Sequence, residues 1–335
     1  MNSISYGDLA SSLKNMRITS QVKQDLERYN YEVASGEKSD LSKAVSGDFT
    51  PLASLERSIR SLGAYDTSLN EAALFTSSLQ SVLETVSDQV SDLSVDLLTA
   101  SDAAQPATIS IASRDARTKF DTVISVLNTR VGGRSLMSGA ATGTTSLASP
   151  QDMMDEIKTL IASEVDAAGV ISAVENWFDA PGGGFETNGY LGSQNDISPF
   201  ALNESQRVNI NLKADDQSIR DTLKGLVLAS LVDEGVMASS QTEQVALLRS
   251  AGETLVSAES SIITTRAHVG TIEQQIRDTK MANSAEGYIL EMAKSEIVSA
   301  DIYDSAAMLS QTQAQLEMIY TITARLSHLK LSDYL

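Results

Sequence analysis

Two stretches, Ser11-Ser12-Leu13-Lys14 and Ser35-Gly36-Glu37-Lys38, share the spacing Ser-x-x-Lys. That spacing sets a lysine amine beside a serine hydroxyl, the arrangement a serine acyl-transfer enzyme needs to activate its nucleophile. Both matches lie in polar, Ser-rich, helix-forming sequence, and no second catalytic motif accompanies either. Four-residue matches of this kind arise often by chance, so a serine hydrolase using Ser11 and Lys14 stands as the remote enzymatic option.

The other reactive residue types are scattered. Adjacent acids occur at Asp155-Glu156, Asp215-Asp216 and Asp233-Glu234, where helix ends or solvated faces are the expected setting. The two histidines, His268 and His328, are too few for a multi-histidine metal site, and each lacks an acid–nucleophile pair nearby. His268 adjoins an apolar heptad position, Val269, and is expected on the surface. No Gly-x-x-x-x-Gly-Lys-Ser/Thr phosphate loop is present, and "GGRSLMSG" is not a dinucleotide fingerprint. Its glycines suit a tight turn. Trp177-Phe178 reads as the core of a small middle region. No catalytic, cofactor or metal residue is expected.

Composition narrows the classes further. The chain has 335 residues, 42% of them apolar and 5% aromatic, with a formal charge of −19. Such a charge argues against nucleic-acid binding, which needs clustered Lys and Arg against phosphates. Cysteine is absent, which excludes thiol catalysis, Cys-ligated zinc and disulfide bracing. The most apolar run, "LKGLVLASLV" at 223–232, falls short of the roughly 20 residues a membrane span needs. The first residues lack a basic segment, apolar core and cleavage site, so any export is expected without a cleaved signal.

What, then, are these residues mounted on? Three of the five prolines and ten of the nineteen glycines fall between 131 and 199. Between the Gly-rich stretches a helix or helix pair is expected at about 151–178. Val208, Ile210 and Leu212 alternate in "QRVNINLK", which predicts a short strand over 206–213.

The flanks repeat in sevens. Leu55, Leu62, Leu69, Leu83, Val90 and Leu97 form one series, interrupted by Thr76, and Leu79, Val86 and Leu93 form a companion. A strict seven-residue repeat favours helices that wind around one another. Residues 52–100 would make a helix of roughly 70 Å, starting near Thr50-Pro51. A further helix is predicted over 107–130, ending at Gly132-Gly133. Beyond the middle region Leu248, Leu255, Ile262, Val269 and Ile276 repeat in sevens, and Leu290 and Ile297 follow past Asn283. At the front, Leu9, Leu13 and Met16 share a face, as do Val22, Leu26, Tyr29 and Val33.

The predicted fold is mainly α, a long antiparallel helical bundle or coiled-coil rod formed by the N- and C-terminal halves. A small mixed α/β insert sits in the middle. Three parts are expected: terminal helices at 1–45 and 286–335, a helical rod at 46–137 and 215–285, and an insert at 138–214.

Residues 305–324, "SAAMLSQTQAQLEMIYTITA", hold one charged side chain, Glu317. A solvated helix face is normally dressed in Lys, Glu and Arg. Ser, Thr and Gln here suggest a helix that buries more than one side, its hydroxyls and amides bonded across interfaces. The surface expected to do so comprises Leu9, Leu13, Met16, Val22, Leu26, Tyr29, Leu309, Leu316, Ile319, Leu326, Leu329, Leu331, Tyr334 and Leu335. An intramolecular bundle would use the same residues.

With these features in hand, the chain resembles the flagellin superfamily of bacterial axial proteins. The similarity is carried by 297–335, with its acidic turn, uncharged Gln-rich helix and Ser332-Asp333-Tyr334-Leu335 close. "GGRSLMSGAATGTTSLA" (132–148) and "SAESSIITTRAHVGTIEQQI" (257–276) are similar to the superfamily's turn into the insert and its penultimate helix. Ser35-Gly36 is kept at the front, without the Asp-Asp-Pro turn. The resemblance, nearest to the members that join hook to filament, implies a structural adaptor exported through the flagellar type III channel and placed outside the cell. It implies as partners hook-associated protein 1, flagellin, further copies of itself in a ring, and an export chaperone on the C-terminal helix. Neither nucleic acid nor membrane is implied. The filament subunit itself is the runner-up, and a signalling coiled coil is the alternative of another class.

Overall fold

The computed structural model describes residues 6–332, with side chains described for residue 10 and for 12–325. The chain is mainly α. Its elements run α1 (Tyr6–Ser35), α2 (Leu41–Ala44), α3 (Thr50–Ala103), α4 (Pro106–Leu127), β1 (Arg130–Val131), β2 (Arg134–Ser135), α5 (Pro150–Leu160), α6 (Ala167–Asp179), β3 (Phe200–Ala201), β4 (Arg207–Val208), α7 (Gln217–Ser230), α8 (Gln241–Val298) and α9 (Ile302–Ser332). They form two compact units, Met1–Leu62 with Ser284–Leu335, and Gly63–Asn283.

The larger unit is built on the heptads. Leu69, Leu79, Leu83, Val86, Val90, Leu93 and Leu97 of α3 are buried, as are Leu248, Leu255, Ile262, Val269 and Ile276 of α8. The two polar interruptions lie in the same seams. Thr76 is fully buried and donates from Oγ1 to its own helix at Ala72 O, 3.0 Å away. Asn283 is buried and donates from Nδ2 to Leu202 O at 2.9 Å. A buried polar group is tolerated when its hydrogen bond is made. Gln80 Nε2 ties α3 to α8 by donating to Arg266 O at 2.7 Å.

The centre of this unit is α7, which contains the apolar run at 223–232. Every residue from Thr222 to Ser230 is buried. Gln217, Arg220, Asp221 and Lys224 recur on one face at helical spacing and Ile219, Leu223, Leu226 and Val227 fill the opposite one, so the helix is amphipathic although most of it is buried. It packs against α4 and α6. Ser113 of α4 donates to Ala229 O at 2.6 Å and accepts from Asp233 N at 2.7 Å. Lys224, itself buried, pairs with Asp179 at the end of α6 at 2.6 Å and with Asp221 at 2.8 Å. Gly225 lets α8 approach, since a Cβ there would meet Leu255 Cδ2 at 2.6 Å.

Pro106 occupies the first position of α4, where its missing N–H is not needed. After α4, Gly132 (φ +58°) and Gly133 (φ +79°) turn β1 into β2, with Val131 opposite Arg134. Two left-handed central residues are the requirement of a tight hairpin turn. The middle helix pair is α5 and α6, and Trp177, Phe178 and Phe185 cluster beneath them, with Trp177 edge-on to Phe178 at 4.8 Å. The strand expected at 206–213 is corrected to Arg207–Val208, paired with Phe200–Ala201. Val208, Ile210 and Leu212 do alternate inward. The turn between the strands, where Asn203 Oδ1 accepts from the Ser205 and Gln206 amides, bounds the ladder at one end, and at the other the next residue beside Phe200 is Pro199, which has no N–H to donate.

The smaller unit is differently made. α1 packs on α9, with α3's first turns and the end of α8 beside them. Among its described residues only Val22 and Leu52 are buried apolar side chains.

Candidate assembly surface

The pairing of α1 with α9 begins at a short backbone clasp. Gly36 takes φ +74°, which lets the chain leave α1 and run beside residues 298–300. Lys38 N donates to Val298 O and Ala300 N donates to Gly36 O, each at 2.8 Å, and Glu37 and Ser299 form an antiparallel bridge. Lys38 Nζ adds a bond to Ile297 O at 2.9 Å, satisfying a carbonyl at the end of α8. Asp301 then caps α9, its Oδ1 accepting from the Tyr303 and Asp304 amides at 3.0 and 3.1 Å.

This clasp uses one Ser-x-x-Lys match structurally. Ser35 Oγ donates to Tyr31 O and accepts from Glu37 N, so serine and lysine serve different carbonyls. In the other match Lys14 is exposed, and the Ser11 side chain lies outside the described residues. His268 is exposed beside an open groove of about 260 Å³ lined by Ile210, Leu212 and Val269. The His328 side chain lies outside the described residues. Asp216 caps α7 by accepting from Ser218 N, and Glu234 pairs with Arg117 and Lys158. Among the described residues no three His, Asp or Glu side chains converge as a metal site, and no helix is long and apolar enough to cross a membrane.

Above the clasp the expected interface residues fall into three states. Val22 is buried; Leu26, Tyr29, Leu309, Leu316 and Ile319 are half-buried between α1 and α9. Leu13 and Met16 stay 54% and 67% exposed. The side chains of Leu9, Leu326, Leu329 and Leu331, and the whole of Tyr334 and Leu335, lie outside the described residues. Sequence reasoning passed over Tyr303, Met318 and Tyr320, which are exposed apolar groups off the heptad seam. Their signal was available, since apolar residues on several faces of an uncharged helix are not needed for one seam.

The hydroxyls of α9 depart from expectation. They were expected to bond across interfaces, but Thr312, Thr321 and Thr323 donate to carbonyls four residues back in their own helix, at 2.7, 2.9 and 2.8 Å. Ser305 is the exception, bonding Glu32 of α1. The surface can therefore join a neighbour through apolar contact and leave few hydroxyls unsatisfied.

Residues 253–335 match the bacterial flagellin C-terminal helical region. No curated protein matches the sequence. The fold is similar to that of a candidate flagellar hook-associated protein from Vibrio parahaemolyticus, at 13% identity and TM-score 0.51, covering 75% of this chain and 99% of that one. It is also similar to FlgL from Bacillus cereus, at 14% identity and TM-score 0.52, covering 72% of this chain and 100% of that one.

Proposed function

We propose that this chain is a structural subunit of the bacterial flagellum, and within it the hook–filament junction protein, hook-associated protein 3. The observation that carries this reading is the exposed apolar surface of α1 and α9, in a unit with two buried apolar side chains among its described residues. Apolar patches rimmed by polar residues mark association sites. The position of α9 inside the segment that matches the flagellin C-terminal region favours the axial structure as the place of association.

In this role the terminal parts, 1–45 and 286–335, form the assembly domain. The helical part at 46–137 and 215–285 carries load between hook and filament, and the insert at 138–214 faces outward. Subunits pack through α1 and α9 into a ring outside the cell, with hook-associated protein 1 on one side and flagellin on the other. Before assembly an export chaperone covers the C-terminal helix, an apolar helix held in a groove. The chain works by packing rather than by chemistry.

Deleting the gene tests the role, with flagellin assayed in cells and medium. Bare hooks with unpolymerised flagellin in the medium are expected. Bare hooks with no flagellin anywhere would identify the filament subunit instead, and intact swimming would overturn the flagellar reading.

A further inference from the structure

The end of α8 carries an apolar strip outside the surface described above. Ala285, Tyr288, Ile289 and Met292 recur at helical spacing on one face, and the last three are 69%, 65% and 56% exposed. Exposed glutamates frame the strip, Glu291 along one edge, Glu286 along the other and Glu296 on the same face one turn beyond Met292. Other positions on these turns are engaged with α3. Lys294 Nζ lies 3.6 Å from Glu56 and Gly287 faces Leu62.

The first half of α1 is the chemical complement. Leu13 and Met16 are exposed, Lys14 and Arg17 border them on one side and Lys23 on the other. No acidic residue occurs between 10 and 24. We infer that the Leu13–Met16 face of α1 docks on the Tyr288–Ile289–Met292 strip of α8 in a second copy of this chain. One molecule displays both the strip and its complement, and both remain uncovered within it. Two unlike patches on the same subunit make a head-to-tail contact that repeats from copy to copy. Opposite charges along both edges fix the register and disfavour a strip meeting its own kind. The inference takes the identity of its partner from the assembly reading, and it adds a face of α8 to the helices that reading uses.

Because the chain has no cysteine, Met16→Cys and Ile289→Cys variants each carry a single thiol. The two full-length proteins, mixed at high concentration with a short bis-maleimide, should yield the mixed dimer in excess over either same-variant dimer. Adding K14E/R17E/K23E to the first protein should cut that yield about tenfold, and adding E286K/E291K to the second should restore it. A mixed dimer no more abundant than the same-variant dimers, or a yield indifferent to charge reversal, would overturn the contact. The gene deletion reports separately: a mixed dimer from a chain whose loss leaves swimming intact keeps the contact and discards the flagellar role. Bare hooks without a mixed dimer do the reverse.

Discussion

Ser305 Oγ donates to Glu32 Oε2 across 3.0 Å, so the first turn of α9 and the last turns of α1 share one carboxylate. The other oxygen, Oε1, accepts from Ser39 N at 3.3 Å, which draws the loop after α1 into the same knot. Ser305→Ala should loosen the base of the terminal helix pair by about 1 kcal/mol, the scale of a partly exposed bond to a charged group. Hydrogen exchange checks this. Amides of residues 302–310 should exchange faster, while those of α7 keep their protection.

Ser113 is a different kind of linker. Its hydroxyl serves Ala229 O and Asp233 N at once inside the larger unit. Ser113→Ala leaves both backbone groups without that partner, at a cost of about 1–3 kcal/mol each. A drop in the urea midpoint at unchanged slope is the expected result.

Gly225 sits where α7 and α8 are closest. An alanine would gain about 1 kcal/mol of helix propensity but push into Leu255, which is fully buried and has no room to retreat. Gly225→Ala should therefore destabilise by about 1–3 kcal/mol. Combining it with Leu255→Ala should cost less than the sum of the two, a coupling read from a double-mutant cycle of thermal melts.

Burial pushes the Asp215 carboxyl above its ordinary range, with Lys213 and Arg220 pulling it partly back. A raised value means the folded chain holds a proton that the unfolded chain has already released. Stability from this site is thus lost as pH rises from the ordinary carboxylate value through the raised one. Asp215→Asn should raise the melting temperature modestly at neutral pH, since the group is half exposed, and the difference should vanish in acid.

Truncation tests the tail. Removing 320–335 takes away Leu326, Leu329, Leu331, Tyr334 and Leu335, and leaves the larger unit whole. The shortened chain should stay soluble and largely helical by circular dichroism, while cells carrying it shed flagellin. Normal motility would separate the tail from assembly.

The helices were legible in the sequence because their seams repeat. The Leu69–Leu97 and Leu248–Ile276 series mark buried faces, and Pro51 and Pro106 mark helix starts. Thr76 and Asn283 looked like breaks because a period counts polarity and cannot see a hydroxyl turned onto Ala72 O or an amide turned onto Leu202 O. α7 does carry a helical period, with Gln217, Arg220, Asp221 and Lys224 on one face, but a period cannot show that Lys224 is buried by its pairs with Asp179 and Asp221. On the candidate assembly surface, the heptads pick out Leu309, Leu316 and Ile319 but not Tyr303, Met318 and Tyr320, since a repeat locates one seam and says nothing of a second.

The threonines of α9 have a consequence for how such a helix changes company. Thr312, Thr321 and Thr323 give their protons to their own backbone, so these donors ask nothing of the medium around them. Thr312 is already buried; moving the exposed Thr321 and Thr323 from water to a protein neighbour breaks neither of their bonds and requires no new partner for their protons. The helix is indifferent, on this count, to whether it is wet or dry. It can slide along a neighbour and settle wherever apolar shape fits best, without passing through a register in which a threonine hydroxyl is stranded.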